Sequence, residues 1–273
     1  MVKIDRLGWA DGIAFRAYGL RVGVRVTDQR AMQQVLDLLP PGWKPASSPN
    51  VDFLYSLIIG GTSPNFRIQR LNLAYFDAER IARSRDLDFV LRSFESHLQI
   101  TVADNARRRV FVHAGVVGWK SNAIVIPGTS FSGKTTLVSK LVKAGATYYS
   151  DEYAVLDERG FVHPFPRPLG LRQEGQFETQ RVHVETLGGQ RGVKPLPVRL
   201  VISTTYKPGA TWKPRPLTTG RGVLEMLANT VSARSQTRLA LATLPKAIQY
   251  AEILKGVRGE ADEVIDSILE KVA

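Results

Sequence analysis

Gly128-Thr129-Ser130-Phe131-Ser132-Gly133-Lys134-Thr135 fits the pattern G-x-x-x-x-G-K-[ST], a glycine-rich turn whose backbone amides converge on an anion. Glycines at 128 and 133 admit backbone angles closed to other residues, so successive N–H groups can point inward. Residues 123–126, Ala-Ile-Val-Ile, read as a short buried strand entering the turn. Residues 135–144 read as a helix leaving it, with Leu137, Leu141 and Val142 on one side. This strand, loop and helix order is the context the pattern needs. The helix presents its first amides, including that of Thr136, and the positive end of its dipole to the same anion. Lys134 adds a mobile positive charge for outer phosphates, and the Thr135 hydroxyl is placed for the magnesium ion that accompanies a nucleotide. Residues 128–136 are therefore the expected nucleotide-binding segment.

Composition narrows the classes further. A chain of 273 residues holds one large domain or two modest ones, with apolar content for a real core. It contains no cysteine, which excludes disulfides, thiolate catalysis and cysteine metal sites. The four histidines, His97, His113, His163 and His183, include no pair at metal-site spacing. No apolar run approaches a membrane span, and residues 1–6 lack a signal-peptide core, so a cytoplasmic protein is expected. The formal net charge is +12, and it is uneven. Residues 160–250 carry 13 Lys and Arg against four acids, a surface that attracts acidic peptides or simply keeps the protein soluble. Nucleic acid is not expected, because aromatic residues are not interleaved with the basic ones.

Along the chain, residues 1–85 read as a small strand-rich α+β domain. Residues 14–26 alternate apolar and polar as a hairpin broken near Gly19. Asp28 can cap a short helix carrying Met32, Val35, Leu36 and Leu39, which Pro40-Pro41-Gly42 stops. Residues 51–59 form another strand. Residues 86–103 have Leu87, Val90, Leu91, Phe94, Leu98 and Val102 at helical spacing. That helix is expected to connect the domains across 86–106 and to pack on the second. From 107 to 273 strands, loops and helices alternate: strands at 109–119 and 123–126, a hairpin of 153–156 with 161–163, a strand at 196–203, and helices at 223–231 and 260–272.

Ser150-Asp151-Glu152 follows the loop's helix and the short strand 146–149. Two adjacent acids near a phosphate site suit magnesium ligation and activation of an attacking hydroxyl. In RecA-like and Ras-like proteins the second acidic element ends a long buried strand, whereas here a hairpin follows at once. Those commonest P-loop folds are therefore disfavoured. His113-Ala-Gly-Val-Val117, the glycine loop, Tyr149-Ser-Asp151-Glu152 and Pro166-Arg-Pro-Leu-Gly170 together resemble the catalytic domain of the bacterial HPr kinase/phosphorylase family. The resemblance is good over residues 105–175, loose to 273 and slight before 105.

That resemblance implies an α/β fold similar to the nucleotide-binding part of phosphoenolpyruvate carboxykinase, over 107–273. It implies transfer of phosphate from ATP, with magnesium, to a serine hydroxyl. Carried over by position, Asp151 would be the base, and Glu152, where the family commonly has Asp, would hold magnesium with Thr135 and Asp151. His113 would sit near the transferred phosphate or the base, and Arg167 would neutralise charge in the transition state. Two departures stand out. Phe165 occupies a place where the family carries an acid before the arginine, and no phosphorolysis loop is recognisable at 206–221, so a kinase without strong phosphorylase activity is implied. Relatives with this layout resemble peptide-tailoring kinases, such as those of lasso peptide precursors, and are often homo-oligomers. The expected acceptor is a peptide or protein with an acidic or serine-bearing segment, with Arg221, Arg234 and Arg258 as candidate contacts. A small hydroxyl compound as acceptor, or a module that senses ATP and transfers nothing, are the alternatives.

Overall fold

The computed structural model describes residues 5, 7–60, 70–129, 132–172 and 179–272. Ser130 and Phe131 of the glycine loop lie outside them. The chain divides into two compact units, Met1–Arg107 and Arg108–Ala273. The fold is mixed α/β in both.

In the first unit, β1 (Asp11–Ala17) and β2 (Leu20–Val26) form the expected hairpin. Tyr18 and Gly19 close it with φ of 50° and 85°, the left-handed pair that matches the twist of the strands. Asp28 accepts from the Arg30 amide and starts a short turn leading into α1 (Met32–Asp37). Then come β3 (Lys44–Pro45), β4 (Phe53–Ile58), β5 (Asn72–Phe76) and β6 (Glu79–Ser84), giving a sheet of order β3-β1-β2-β4-β5-β6 among the described residues. The β5–β6 hairpin was not legible as strands, because its apolar positions are interrupted by Asn72, Arg80 and Arg83.

Helix α2 (Leu87–Asn105) starts where expected, with Asp86 accepting from the Asp88 amide. Its expected role as a connector packing on the second unit is corrected. It belongs to the first unit and packs on β5 and β6. The Phe94 ring meets Tyr55 of β4 at 5.2 Å, and the Tyr55 hydroxyl lies 2.9 Å from His97 Nδ1 and 3.0 Å from Thr101 Oγ1. His97 is thus a packed residue that satisfies a buried phenol.

The second unit is built on β7 (Arg109–Trp119) and β8 (Asn122–Pro127), joined by a tight turn in which Lys120 and Ser121 have φ of 46° and 62°. After the glycine loop come α3 (Lys134–Lys143), β9 (Thr147–Ser150), β10 (Tyr153–Asp157) and β11 (Phe161–His163). A small separate ladder of β12 (Leu169–Arg172) and β13 (Thr179–Val182) follows, then β14 (Leu196–Tyr206), β15 (Arg215–Pro216), α4 (Thr219–Ala228), α5 (Thr237–Ile248), β16 (Glu252–Arg258) and α6 (Ile265–Glu270). The main sheet runs β11-β10-β7-β8-β14-β16-β15, with β9 also on β7 and β11 returning to the start of β14.

β8, β14 and β16 are parallel neighbours. Successive residues of a strand face opposite sides, so a sheet covered on both faces needs strands that are apolar throughout. β7 and β8 obey this. Val117, Ile124 and Ile126 pack with α3 and α6, whereas Val116, Ala123 and Val125 pack with α4 and α5.

Three sequence expectations change here. The helix expected at 223–231 is α4, which starts at Thr219, capped by Thr218, and ends at Ala228. Residues 229–231 instead run along β7, with the His113 amide donating to the Asn229 carbonyl and the Val231 amide to Phe111. The closing helix is shorter than 260–272, although Ala261, Val264, Ile265, Ile268, Leu269 and Val272 are all buried as their spacing requires. Finally, α5 and β16 were missed. Pro245 reads as a helix breaker, but it falls in the last turn of α5, which ends at Ile248.

Candidate active site

β8 delivers the chain at the carboxyl end of the parallel strands, the end at which ligands bind in open α/β sheets. The Gly128 amide donates to the His113 carbonyl at 3.2 Å, which fixes the start of the loop to β7. Gly133 ends it with φ 82° and ψ 17°, as the residue preceding α3. That left-handed conformation is why a glycine is needed there.

Lys134 is the first residue of α3, and its side chain folds back over the loop. Its Nζ donates to the carbonyls of Gly128 and Thr129 at 2.8 and 2.7 Å. Only 7% of Lys134 is exposed, and burial lowers its pKa to about 8, against the pull of Asp151 and Glu152. Gly128 and Ser132 are half-buried, whereas Thr129 and Thr136 are exposed. The next helical position, Thr135, turns toward the acids: its Oγ1 donates to Asp151 Oδ2 at 3.2 Å.

Asp151 follows β9, which pairs with the far half of β7 and so brings residues 150–152 to the loop's flank. Ser150 Oγ accepts from the amides of Glu152 and Tyr153 at 3.1 and 2.9 Å, shaping the bend that presents the two acids. The Tyr148 hydroxyl lies 2.9 Å from Asp151 Oδ1 and 2.7 Å from the Arg167 carbonyl, and the Gly170 amide reaches Asp151 Oδ2 at 3.4 Å. Burial pushes the Asp151 carboxyl above its usual range, although the contacts from Tyr148, Gly170 and Thr135 oppose this. Burial and the nearby carboxylates likewise hold the Tyr148 phenol well above its usual value.

Glu152 is placed differently. Arg167 Nη1 donates to its Oε2 at 2.6 Å, and the Arg167 side chain is 14% exposed. The two acids therefore divide: Asp151 faces Thr135 and the helix start, while Glu152 faces Arg167. His113, on β7 opposite Tyr153, is half-buried. Burial and then the Lys134 charge lower its pKa, against a backbone hydrogen bond to Gly128, so its ring is neutral at pH 7. Phe165 is fully buried between Phe111 and Tyr153. It serves the core.

Scanned against models of known families, the chain matches none, and it matches no curated protein.

The structure brings together Gly128, Gly133, Lys134, Thr135, Asp151, Glu152 and Arg167 and puts His113 one backbone hydrogen bond from Gly128. It also adds residues that the sequence reading did not single out. Tyr148 read only as part of a short strand, although a tyrosine three residues before an acid can reach it when the chain bends between them. Arg258 was expected at an acceptor surface; instead it is 2% exposed, and its Nη2 donates to the Gly133 carbonyl at 2.9 Å. Arg221 and Arg234 are exposed.

The arrangement fits a nucleotide's phosphates and a divalent ion. A Cβ on Gly128 would stand 2.8 Å from Ser132 Oγ, and that hydroxyl is itself buried without a partner among the described residues. A hydroxyl and a carboxylate in contact, as at Thr135 and Asp151, form a hard oxygen pair of the type magnesium takes. Among the described residues no group of three or more His, Asp or Glu gathers as an all-protein metal cage. Magnesium at phosphate sites needs only one or two protein ligands.

Proposed function

We propose that the second unit is an ATP- and magnesium-dependent kinase with a phosphoenolpyruvate carboxykinase-like P-loop fold, transferring phosphate to a serine hydroxyl of a peptide or protein. The observation that carries this reading is the Thr135–Asp151–Tyr148 chain of hydrogen bonds beside a glycine loop closed by Lys134. Simple nucleotide binding needs the loop and the lysine. It does not need a half-buried carboxylate held by two hydroxyls at the loop's flank.

Bound magnesium and ATP supply the transferable phosphoryl group and much of the charge neutralisation. The chain's part is positioning and proton management, which are the main protein contributions in phosphoryl transfer. The amides of residues 128–136 and the Lys134 ammonium hold the phosphates. Thr135 and Asp151 are the residues we assign to the metal, since Glu152 is engaged by Arg167. The acceptor oxygen gives its proton to the Asp151 carboxylate at the loop's flank. Tyr148 keeps the carboxylate oriented. Neutral His113, its one ring N–H engaged by the Gly128 backbone, lines the site without adding charge. The excess of cations across 160–250 suits an acidic acceptor segment.

The test is incubation with γ-labelled ATP, magnesium and a serine-bearing acidic peptide, with ATP affinity measured by calorimetry. Label should appear on serine. Lys134→Ala should lose ATP binding, whereas Asp151→Asn should retain it and lose transfer by about 100-fold or more. Label on small hydroxyl compounds alone would give the small-molecule reading. Tight ATP binding with label on no acceptor would leave a sensing module.

A further inference from the structure

Arg258 is a charged side chain where the fold has little reason to keep one. It ends β16, opposite Tyr206 in the parallel ladder with β14, and is 2% exposed. Its guanidinium donates to two carbonyls, Gly133 and Gly259, both at 2.9 Å, and lies 5.5 Å from the Tyr206 ring centroid. Among the described residues no carboxylate lies within ion-pair distance of it, although the Glu260 charge acts on it from further off, and its Nε is buried with no hydrogen bond. A buried cation without a close counter-ion is costly for a fold to hold. Burial lowers its pKa, but a guanidinium keeps its proton in proteins.

The surroundings set this cation against the glycine loop. Gly133 is the last residue of the glycine loop, and a Cβ there would stand 2.5 Å from Arg258 Nη2. The Gly133 carbonyl already accepts the Leu137 amide, the first bond of α3, so Arg258 is a second donor behind the loop. Thr204 Oγ1, on β14 next to Gly256 of β16, is also buried and unpartnered, as is Ser132 Oγ in the loop. Three unsatisfied polar atoms thus occur around the carboxyl ends of these strands and the loop.

We infer that Arg258 is a fixed cation behind the phosphate cradle: a positioning residue that locks Gly133 from behind and whose charge gains a close counter-charge when a polyphosphate occupies the loop. This deepens the nucleotide reading and rests on it. Lys134 can swing between loop carbonyls and ligand, whereas Arg258 is held and contributes a constant field. A cation in a low-dielectric interior is weakly screened, so its removal should weaken binding of phosphate-bearing ligands by on the order of tenfold or more.

The test compares wild type, Arg258→Lys and Arg258→Met for binding of inorganic tripolyphosphate and of adenosine, alongside thermal unfolding of the free proteins. Arg258→Met should bind tripolyphosphate about tenfold or more weakly, adenosine unchanged, with unfolding temperature kept or raised because an unpaired buried charge is gone. Arg258→Lys should fall between. A purely structural arginine would give the opposite: a lowered unfolding temperature in Arg258→Met with tripolyphosphate affinity within twofold of wild type, and that result overturns the inference. Equal loss of affinity for adenosine and tripolyphosphate overturns it too. If wild type binds neither tripolyphosphate nor ATP, the nucleotide reading itself fails and this inference falls with it.

Discussion

Gly115→Ala should move the helix that carries Lys134 and Thr135. Gly115 lies in β7 opposite Ile126, and a Cβ there would stand 2.6 Å from Val138 Cγ2 and 3.8 Å from Lys134 Cβ. Carbon atoms in contact prefer about 3.5–4.0 Å, so α3 must retreat by roughly 1 Å. Overpacking of this kind costs about 1–3 kcal/mol. The same retreat stretches the 3.2 Å contact from Thr135 to Asp151, so ATP affinity should fall with stability. Val138→Ala deletes the obstructing methyl and by itself should cost about 2 kcal/mol through its cavity. In the double variant each change fills or relieves the other, so the combined loss should be smaller than the sum by at least about 1 kcal/mol. Hydrogen exchange of the α3 amides, with urea unfolding, reads this coupling locally. Additivity within about 0.5 kcal/mol would refute the claim that this glycine sets the seating of α3.

Tyr148→Phe removes the hydroxyl beside Asp151, and transfer should slow by about tenfold while ATP affinity stays within twofold, in a steady-state kinase assay with parallel calorimetry. Asp157 in the β10–β11 turn is opposed by burial, but the His163 ring and the amides of Phe161 and Arg159 outweigh it and hold its pKa below the usual value. A depressed carboxyl contributes stability above its unfolded pKa and loses it as pH falls through the folded one. Asp157→Asn should therefore cost about 1–3 kcal/mol at pH 7 in urea unfolding, and the difference should shrink as pH falls through the lowered folded pKa of Asp157. Gly160→Ala places a Cβ 2.7 Å from the Ala247 backbone in a residue at φ 90°, and should lower the unfolding temperature of the second unit clearly, since backbone cannot step aside as a side chain can.

Much of the site was legible because its parts are local. The glycine loop, its flanking strand and helix, the hairpin break near Gly19 and the Asp28 cap each lie within a dozen residues of sequence, where spacing and turn chemistry speak directly. Asp151-Glu152 was visible as a pair, but the division of labour between them was not. That depends on Arg167 arriving from beyond the β10–β11 hairpin, and on Tyr148 sharing the Asp151 carboxylate. Arg258 was misread for a similar reason. Nothing near Gly256-Val-Arg258-Gly in the sequence tells that β16 lies beside β14, which lies beside β8. A parallel sheet order is set by crossovers over long stretches of chain. The β5–β6 hairpin and α5 failed for the opposite reason, because polar residues and Pro245 weakened local patterns that tertiary packing then overrode.

The strand order has a consequence for synthesis. β8 receives its second neighbour only when Val198 pairs with Ala123 and Val201 with Val125, and β16 joins later still through Leu200 and Glu252. As the chain leaves the ribosome, β7, β8 and the glycine loop emerge first, with one edge of β8 open and apolar. Non-local parallel pairing forms slowly, and an open apolar edge is a template for misassembly. Chains stopped before residue 196 should therefore aggregate rather than bind phosphate weakly. The loop most plainly written in the sequence is, in folding order, one of the last parts of the unit to gain its full support.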